Sequence, residues 1–227
     1  MRVFVTGGSG FIGLAVVRDL LRAGHAVLGL ARSASSAAVL EQTGAESHVG
    51  SLEDLESLRA AASRSDAVIH LAFDNSDPAR FPENGQVERS ALRAIGDELA
   101  GSGRPIVAAA GFIPVIATGP VLIESDMCST GAGGLGRNVE RTVMQIADNG
   151  VNASVMRLPC VHGTGDHFTV PYFIDVARQK GISAYVGEGG NRWPAVHNVD
   201  AARVFRLAIE RGVAGSRYHA VAEEGVP

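Results

Sequence analysis

Residues 2–13, RVFVTGGSGFIG, decide the fold. Residues 2–6 form a short β-branched run ended by glycines, and over 11–23 apolar residues return with helical period at Ile12, Val16 and Leu20. Gly24 stops that helix. Gly7, Gly10 and Gly13 therefore stand at a strand-to-helix turn, where the backbone bends tightly and lets another group approach closely. N–H groups at a helix start meet phosphate charge well. The stretch 6–13 reads as the phosphate loop of a dinucleotide-binding unit, with Thr6, Gly7, Gly10, Phe11, Ile12 and Gly13 facing the ligand.

The same alternation continues outward. A strand is expected over 25–31, a short helix over 35–43 and a strand over 47–49. A helix marked by Leu52, Leu55, Leu58 and Ala62 follows, then an apolar strand over 67–73. Val87, Ala91, Ile95 and Leu99 recur every four residues, 105–110 is strand-like, and Leu135, Val139, Val143 and Ile146 mark a further helix before a strand over 151–158. Strands alternating with helices imply a doubly wound parallel sheet covered on both faces, an α/β fold of Rossmann type. After Pro159 the texture turns to glycine and histidine. Residues 161–195 are expected to form a small substrate-side lobe, with 1–160 as the dinucleotide-binding domain and 196–227 returning to the core as a helix over 199–211 and a strand over 217–221.

Composition narrows the partners. A formal charge of −4 and a pI near 6.0 provide no basic field for nucleic acid or anionic lipid. Cys128 and Cys160 sit in no metal-binding or disulfide spacing. With no secretory signal at the start and no long apolar run, a cytoplasmic protein acting on a small molecule is expected, with no metal and no membrane span.

Three further segments carry a resemblance. DAVIHLAF at 66–73, RLPCVHGTGD at 157–166 and PAVHNVDAARVF at 194–205 stand in order behind TGGSGFIG. Together they resemble the extended and atypical short-chain dehydrogenase/reductase superfamily, related to NAD-dependent epimerase/dehydratases. The resemblance implies that Ala72 and Phe73 border the nicotinamide ribose, that Leu52 lies near adenine, and that Pro159 and Val161 flank the nicotinamide. It also suggests a homodimer through helices at 86–101 and 135–148, and a further C-terminal segment beyond the point of Pro227. Where many relatives carry Asp after the third strand, this chain has Ser51.

The catalytic pattern of those relatives is missing. A Tyr with a Lys four residues later shares a helix face, and the cation lowers the phenol pKa. Here the only tyrosines are Tyr172, Tyr185 and Tyr218, and the sole lysine is Lys180. The segment ahead of Glu140 reads GAGGLGRNVE, and PIVAAAGF at 105–112 provides only alanines where a Ser or Thr is usual. Arg137 is the nearest cation and stays protonated at every useful pH, so it is a charge clamp rather than a proton shuttle. His162, Asp166 and His167, at the carboxyl end of the sixth strand, are the candidates for acid/base work, against the plainer reading of a polar surface loop. Asp74 and Asn75 could face the pocket or simply form a loop, Arg192 and Trp193 could clamp a substrate or fill a turn, and His197 reads as structural.

The second strand runs into GLARSASS at 29–36, with no acid before Glu41. A carboxylate there would bind ribose hydroxyls and repel a 2′-phosphate; instead Arg32 offers a planar charged fork and Ser33 a hydroxyl. NADP is therefore expected over NAD. The reading is an NADP(H)-dependent oxidoreductase acting on a small carbonyl or sugar-like compound. The alternatives are a cofactor-binding sensor without turnover and a sugar-nucleotide epimerase/dehydratase.

Overall fold

The computed structural model describes residues 1–112, 116, 118–128, 137–167 and 169–226. In chain order the elements begin β1 (Arg2–Thr6), α1 (Phe11–Arg22), β2 (Ala26–Ala31), α2 (Ala34–Thr43), β3 (Glu46–Val49), α3 (Leu55–Ser63), β4 (Ala67–His70) and α4 (Phe81–Leu99). They continue β5 (Ile106–Gly111), α5 (Val139–Asp148), β6 (Ala153–Leu158), β7 (Cys160–His162), α6 (Thr169–Lys180), β8 (Trp193–His197), α7 (Asn198–Arg211), β9 (Arg217–His219) and β10 (Glu223–Val226).

Seven strands pair in the order β3-β2-β1-β4-β5-β6-β9, every pair parallel. The order reverses between β1 and β4, and the crevice at the carboxyl ends there is where open α/β sheets take ligands. Strand side chains alternate between two buried faces. Phe4, Leu28 and Val68 pack beneath α3, α4 and α5 with Leu58, Leu92 and Ile95, while Val3, Val5 and Ile69 pack beneath α1, α2 and α7 with Leu20, Leu40 and Phe205. Each such side chain contributes about 1.5–3 kcal/mol by leaving water. Gly96 lets α4 meet α5, since a Cβ there would stand 2.8 Å from Ile146 Cγ2.

Three boundaries differ from the sequence reading for definable reasons. The fourth strand ends at His70 rather than at 73, because the Leu71 and Ala72 N–H groups turn to the Thr6 hydroxyl, both at 3.2 Å. The fifth helix starts at Val139; Leu135 lies outside the described residues. The last strand stops at His219, then Ala220 N donates to Arg157 O and Ala222 N to Ala195 O, which carries the chain from one sheet to another. That second sheet, β10-β8-β7, has no counterpart in the sequence reading, which had no strand over 193–197 or 223–226. Val161 and Val196 pack with Phe11, Ile12 and Leu158, seating this small sheet against the start of α1.

Candidate functional site

The phosphate loop is built on close backbone approach. Gly7 has φ +70°, and a Cβ there would lie 2.8 Å from Ala72 N; one at Gly13 would collide with the Gly7 carbonyl. At Gly10 the nearest atom to a Cβ is Gly7 O at 3.4 Å, and beyond it the space is open. Gly10 is the N-cap of α1 and supplies no side chain to its first N–H groups. Such a cradle fits the pyrophosphate of a dinucleotide: glycine where the ligand passes and helix-start donors beneath.

Thr6 is fully buried, and its hydroxyl ties the first strand to the fourth. Its Oγ1 accepts from Leu71 N and Ala72 N and lies 2.9 Å from His70 Nδ1. With two N–H groups arriving, the Thr6 proton goes to Nδ1, which leaves the His70 proton on Nε2. Nε2 is buried without a hydrogen-bond partner, 3.5 Å from Glu88 Oε1.

At the adenosine end, Ser33 caps α2: its Oγ accepts from Ser36 N at 3.2 Å and meets Ser35 Oγ at 2.9 Å. Its hydroxyl thus already serves the helix. Arg32 is 74% exposed at the end of β2, with Nη1 3.7 Å from Asp74 Oδ2. Ser51 Oγ accepts from Glu53 N, and Leu52 packs on the cluster of Phe4, Leu28 and Leu30.

At the opposite end of the crevice, the Phe73 ring is edge-on to Phe81, and the Arg137 guanidinium lies over it, 4.3 Å from its centroid. Arg137 Nε donates to Glu88 Oε2 at 2.8 Å, and Nη2 donates to Oε1 at 2.6 Å and to Ala109 O at 3.3 Å. Burial pushes the Glu88 carboxyl up, but the charge and hydrogen bonds of Arg137, helped by His70, more than offset this and hold it below the usual carboxylate range. Glu88 and His70 were not singled out in the sequence. The signal for Glu88 was a charged residue on the apolar face of α4, between Val87 and Ala91.

The loop after β6 reaches the phosphate loop rather than Arg137. His167 Nδ1 is 3.0 Å from Gly165 O, and its ring stands edge-on to Phe11 at 6.3 Å. Asp166 N donates to Gly163 O. His162 stands edge-on to His197, 5.6 Å between centroids, with Nε2 3.9 Å from Glu223 Oε2. His197 Nδ1 accepts from Val199 N at the start of α7. Pro159 lies between β6 and β7, and Val161 is buried against Phe11 and Ile12. Arg192 Nη1 donates to Gly225 O, and Trp193 is 57% exposed.

Beside β6, the fully buried Arg157 donates through Nε and Nη2 to Glu140, which also accepts from Arg217 Nε. Arg157 Nη2 reaches Asp126 O as well, tying the segment at 118–128 to the sheet. This is a second buried ion-pair network that hydropathy alone did not show.

Residues 3–92 match the model of the NAD dependent epimerase/dehydratase family. An uncharacterized protein of Schizosaccharomyces pombe is 44% identical over 229 residues, which cover all of this chain and 77% of that protein. The chain belongs to the NAD-dependent epimerase/dehydratase family. The sterol-4-alpha-carboxylate 3-dehydrogenase (decarboxylating) of Dictyostelium discoideum is 29% identical over 238 residues, 99% of this chain and 72% of that protein. The dTDP-glucose 4,6-dehydratase DesIV of Streptomyces venezuelae, solved with NAD bound, shares the fold at a TM-score of 0.78 and 20% identity, over 100% of this chain and 77% of DesIV. The family is nicotinamide-dinucleotide dependent, which agrees with the glycine cradle. Among the described residues no helix is long and apolar enough to cross a membrane.

Proposed function

We propose that this protein is an NADP(H)-dependent oxidoreductase that interconverts a small carbonyl compound and its alcohol, with Arg137 in place of the missing Tyr and Lys. The observation that carries the reading is the Glu88–Arg137 pair, which aims a fixed guanidinium over Phe73 at the carboxyl ends of β4 and β5. The resemblance of 66–73 to the family's fourth-strand motif assigns Phe73 to the nicotinamide ribose. Named relatives that are dehydrogenases and reductases support the same class.

When bound, the nicotinamide supplies or accepts the hydride. Gly7, Gly10, Phe11, Ile12 and Gly13 hold the pyrophosphate on a turn that the buried Thr6 pins to the end of β4, Arg32 takes the 2′-phosphate beside the α2 cap at Ser33, and Leu52 lies on the adenine side. Ala72, Phe73, Pro159 and Val161 border the nicotinamide riboside. Arg137 polarises the carbonyl oxygen and, being permanently charged, gives up no proton. For the proton, the acid/base candidates are His162 on β7 and Asp166 and His167 just beyond it, on the phosphate-loop side of the crevice. Residues 161–195 form the substrate-side lobe over this end.

The test is consumption of NADPH with a panel of small ketones and aldehydes, for the parent and for Arg137→Lys, which keeps a cation for Glu88 but not the planar fork. Turnover should fall by roughly 10²–10³ in the variant, the size of a lost oxyanion donor, with NADPH affinity unchanged. Equal turnover in both would remove Arg137 from the chemistry. A second reading, a cofactor-binding regulator, is favoured by the alanines of β5; it is the reading to adopt if no carbonyl in the panel is reduced.

A further inference from the structure

The Arg32–Asp74 ion pair occupies a position that the strand order makes unusual. Arg32 leaves the carboxyl end of β2 and Asp74 follows the carboxyl end of β4, while β1 runs between them and ends in the phosphate loop. Their side chains meet at 3.7 Å, so the pair spans the mouth of that loop. The two partners are unequally prepared. The Asp74 carboxylate is two-thirds shielded and preset: Ser76 donates to Oδ1 from Oγ at 2.6 Å and from N at 3.0 Å, and Asn84 Nδ2 holds the Asp74 carbonyl at 2.9 Å. Arg32 is exposed along most of its length and is free to swing. The Ser76 hydrogen bonds, more than the charges of Arg32 and Arg80, hold the Asp74 carboxyl below its usual range, so it stays ionised at neutral pH.

We infer that Asp74 is a specificity-determining residue that competes with the 2′-phosphate of NADP(H) for Arg32 and clasps that arginine across the phosphate loop when no 2′-phosphate is present. The inference rests on the assignment of Arg32 to the 2′-phosphate. NADPH must break the clasp before Arg32 can turn to its phosphate, whereas NADH leaves the clasp closed. Asp74 thereby narrows the preference that Arg32 alone would give. The effect is small, because exposed ion pairs are weakly coupled and salt-screened.

The experiment is a double-mutant cycle on the full chain: dissociation constants for NADPH and NADH in the parent, Asp74→Asn, Arg32→Ala and the double variant. Asn keeps an oxygen acceptor for Ser76, so the turn survives. Asp74→Asn should tighten NADPH by about two- to fivefold, the range set by an exposed ion pair, leave NADH unchanged, and have no effect once Arg32 is gone. A tightening shared by NADH would mean only that a negative charge had been removed near an anionic ligand, and would overturn the clasp. So would the same Asp74→Asn effect with and without Arg32, or none on NADPH; in those cases a selective loss of NADPH in Arg32→Ala still upholds the cofactor assignment. If Arg32→Ala weakens neither cofactor or both alike, the assignment itself fails and the clasp falls with it.

Discussion

Glu88, wholly buried on α4, accepts hydrogen bonds from both Nε and Nη2 of Arg137, a residue 49 positions later in the chain. Breaking such a pair from one side strands a charge out of water, at a cost of about 3–5 kcal/mol. Glu88→Gln should therefore lower the unfolding free energy in urea by roughly that amount and also reduce turnover, because Arg137 is no longer held over Phe73. Unchanged urea midpoint and slope would show that the pair carries no stability.

Acid should weaken the fold through the same chemistry. Glu88 is held below the usual carboxylate range as described, and Glu140 is too: burial pushes it up, and hydrogen bonds from Arg157 and Arg217 more than reverse that. Folded values below unfolded ones mean that the stabilisation is complete above about pH 4.3, the ordinary glutamate value, and is lost as pH falls through the lower folded values. Melting temperature followed downward from neutral pH should hold and then drop in that acidic window, and Glu140→Gln should shrink the drop. A decline that begins near neutrality would place the controlling groups elsewhere.

Gly10→Val should abolish dinucleotide binding in a folded protein. Gly10 has φ −81° and ψ 176°, an extended conformation open to valine, and its Cβ would meet only Gly7 O. The side chain would then project into the space given to pyrophosphate. Native-like circular dichroism with no fluorescence response to NADPH is the expected result; an unaltered titration would show that phosphate lies elsewhere.

The alternation of strand and helix and the phosphate loop were legible in the chain because glycines and period-2 or period-3.6 apolar patterns are local signals. The site's charged parts were less so. Arg137 was visible as a lone cation in a segment of small residues, but its partner Glu88 was not, since a buried carboxylate on an apolar helix face becomes intelligible only when a distant arginine is known to meet it. Strands β8 and β10 escaped for a similar reason. WPAVH and EEGV have weak patterns alone and become strands by pairing with each other and with β7. Ser33 looked like a ligand donor, and the local fold shows that it also caps α2.

None of the three tyrosines should be essential. Tyr172 and Tyr185 are exposed, and the Tyr218 hydroxyl accepts from Val213 N at 2.8 Å, a structural use. Single replacement by Phe should leave turnover within about tenfold, less than the 10²–10⁴ of a lost general acid, and Tyr218→Phe should cost about 1 kcal/mol of stability for its hydrogen bond. A collapse of kcat in any one of them, with cofactor affinity intact, would return the chemistry to a tyrosine.

The assignment of NADP(H) is decided most directly by dissociation constants for NADPH and NADH in the parent and in Arg32→Ala. Arg32 stands at the end of β2 with no carboxylate before Glu41, and a charged hydrogen bond contributes roughly 1.5–3 kcal/mol, or about one to two decades in affinity. The parent should prefer NADPH, and the variant should lose that margin while its NADH affinity stays nearly constant. A parent that prefers NADH, or a variant that weakens both cofactors equally, would contradict the assignment.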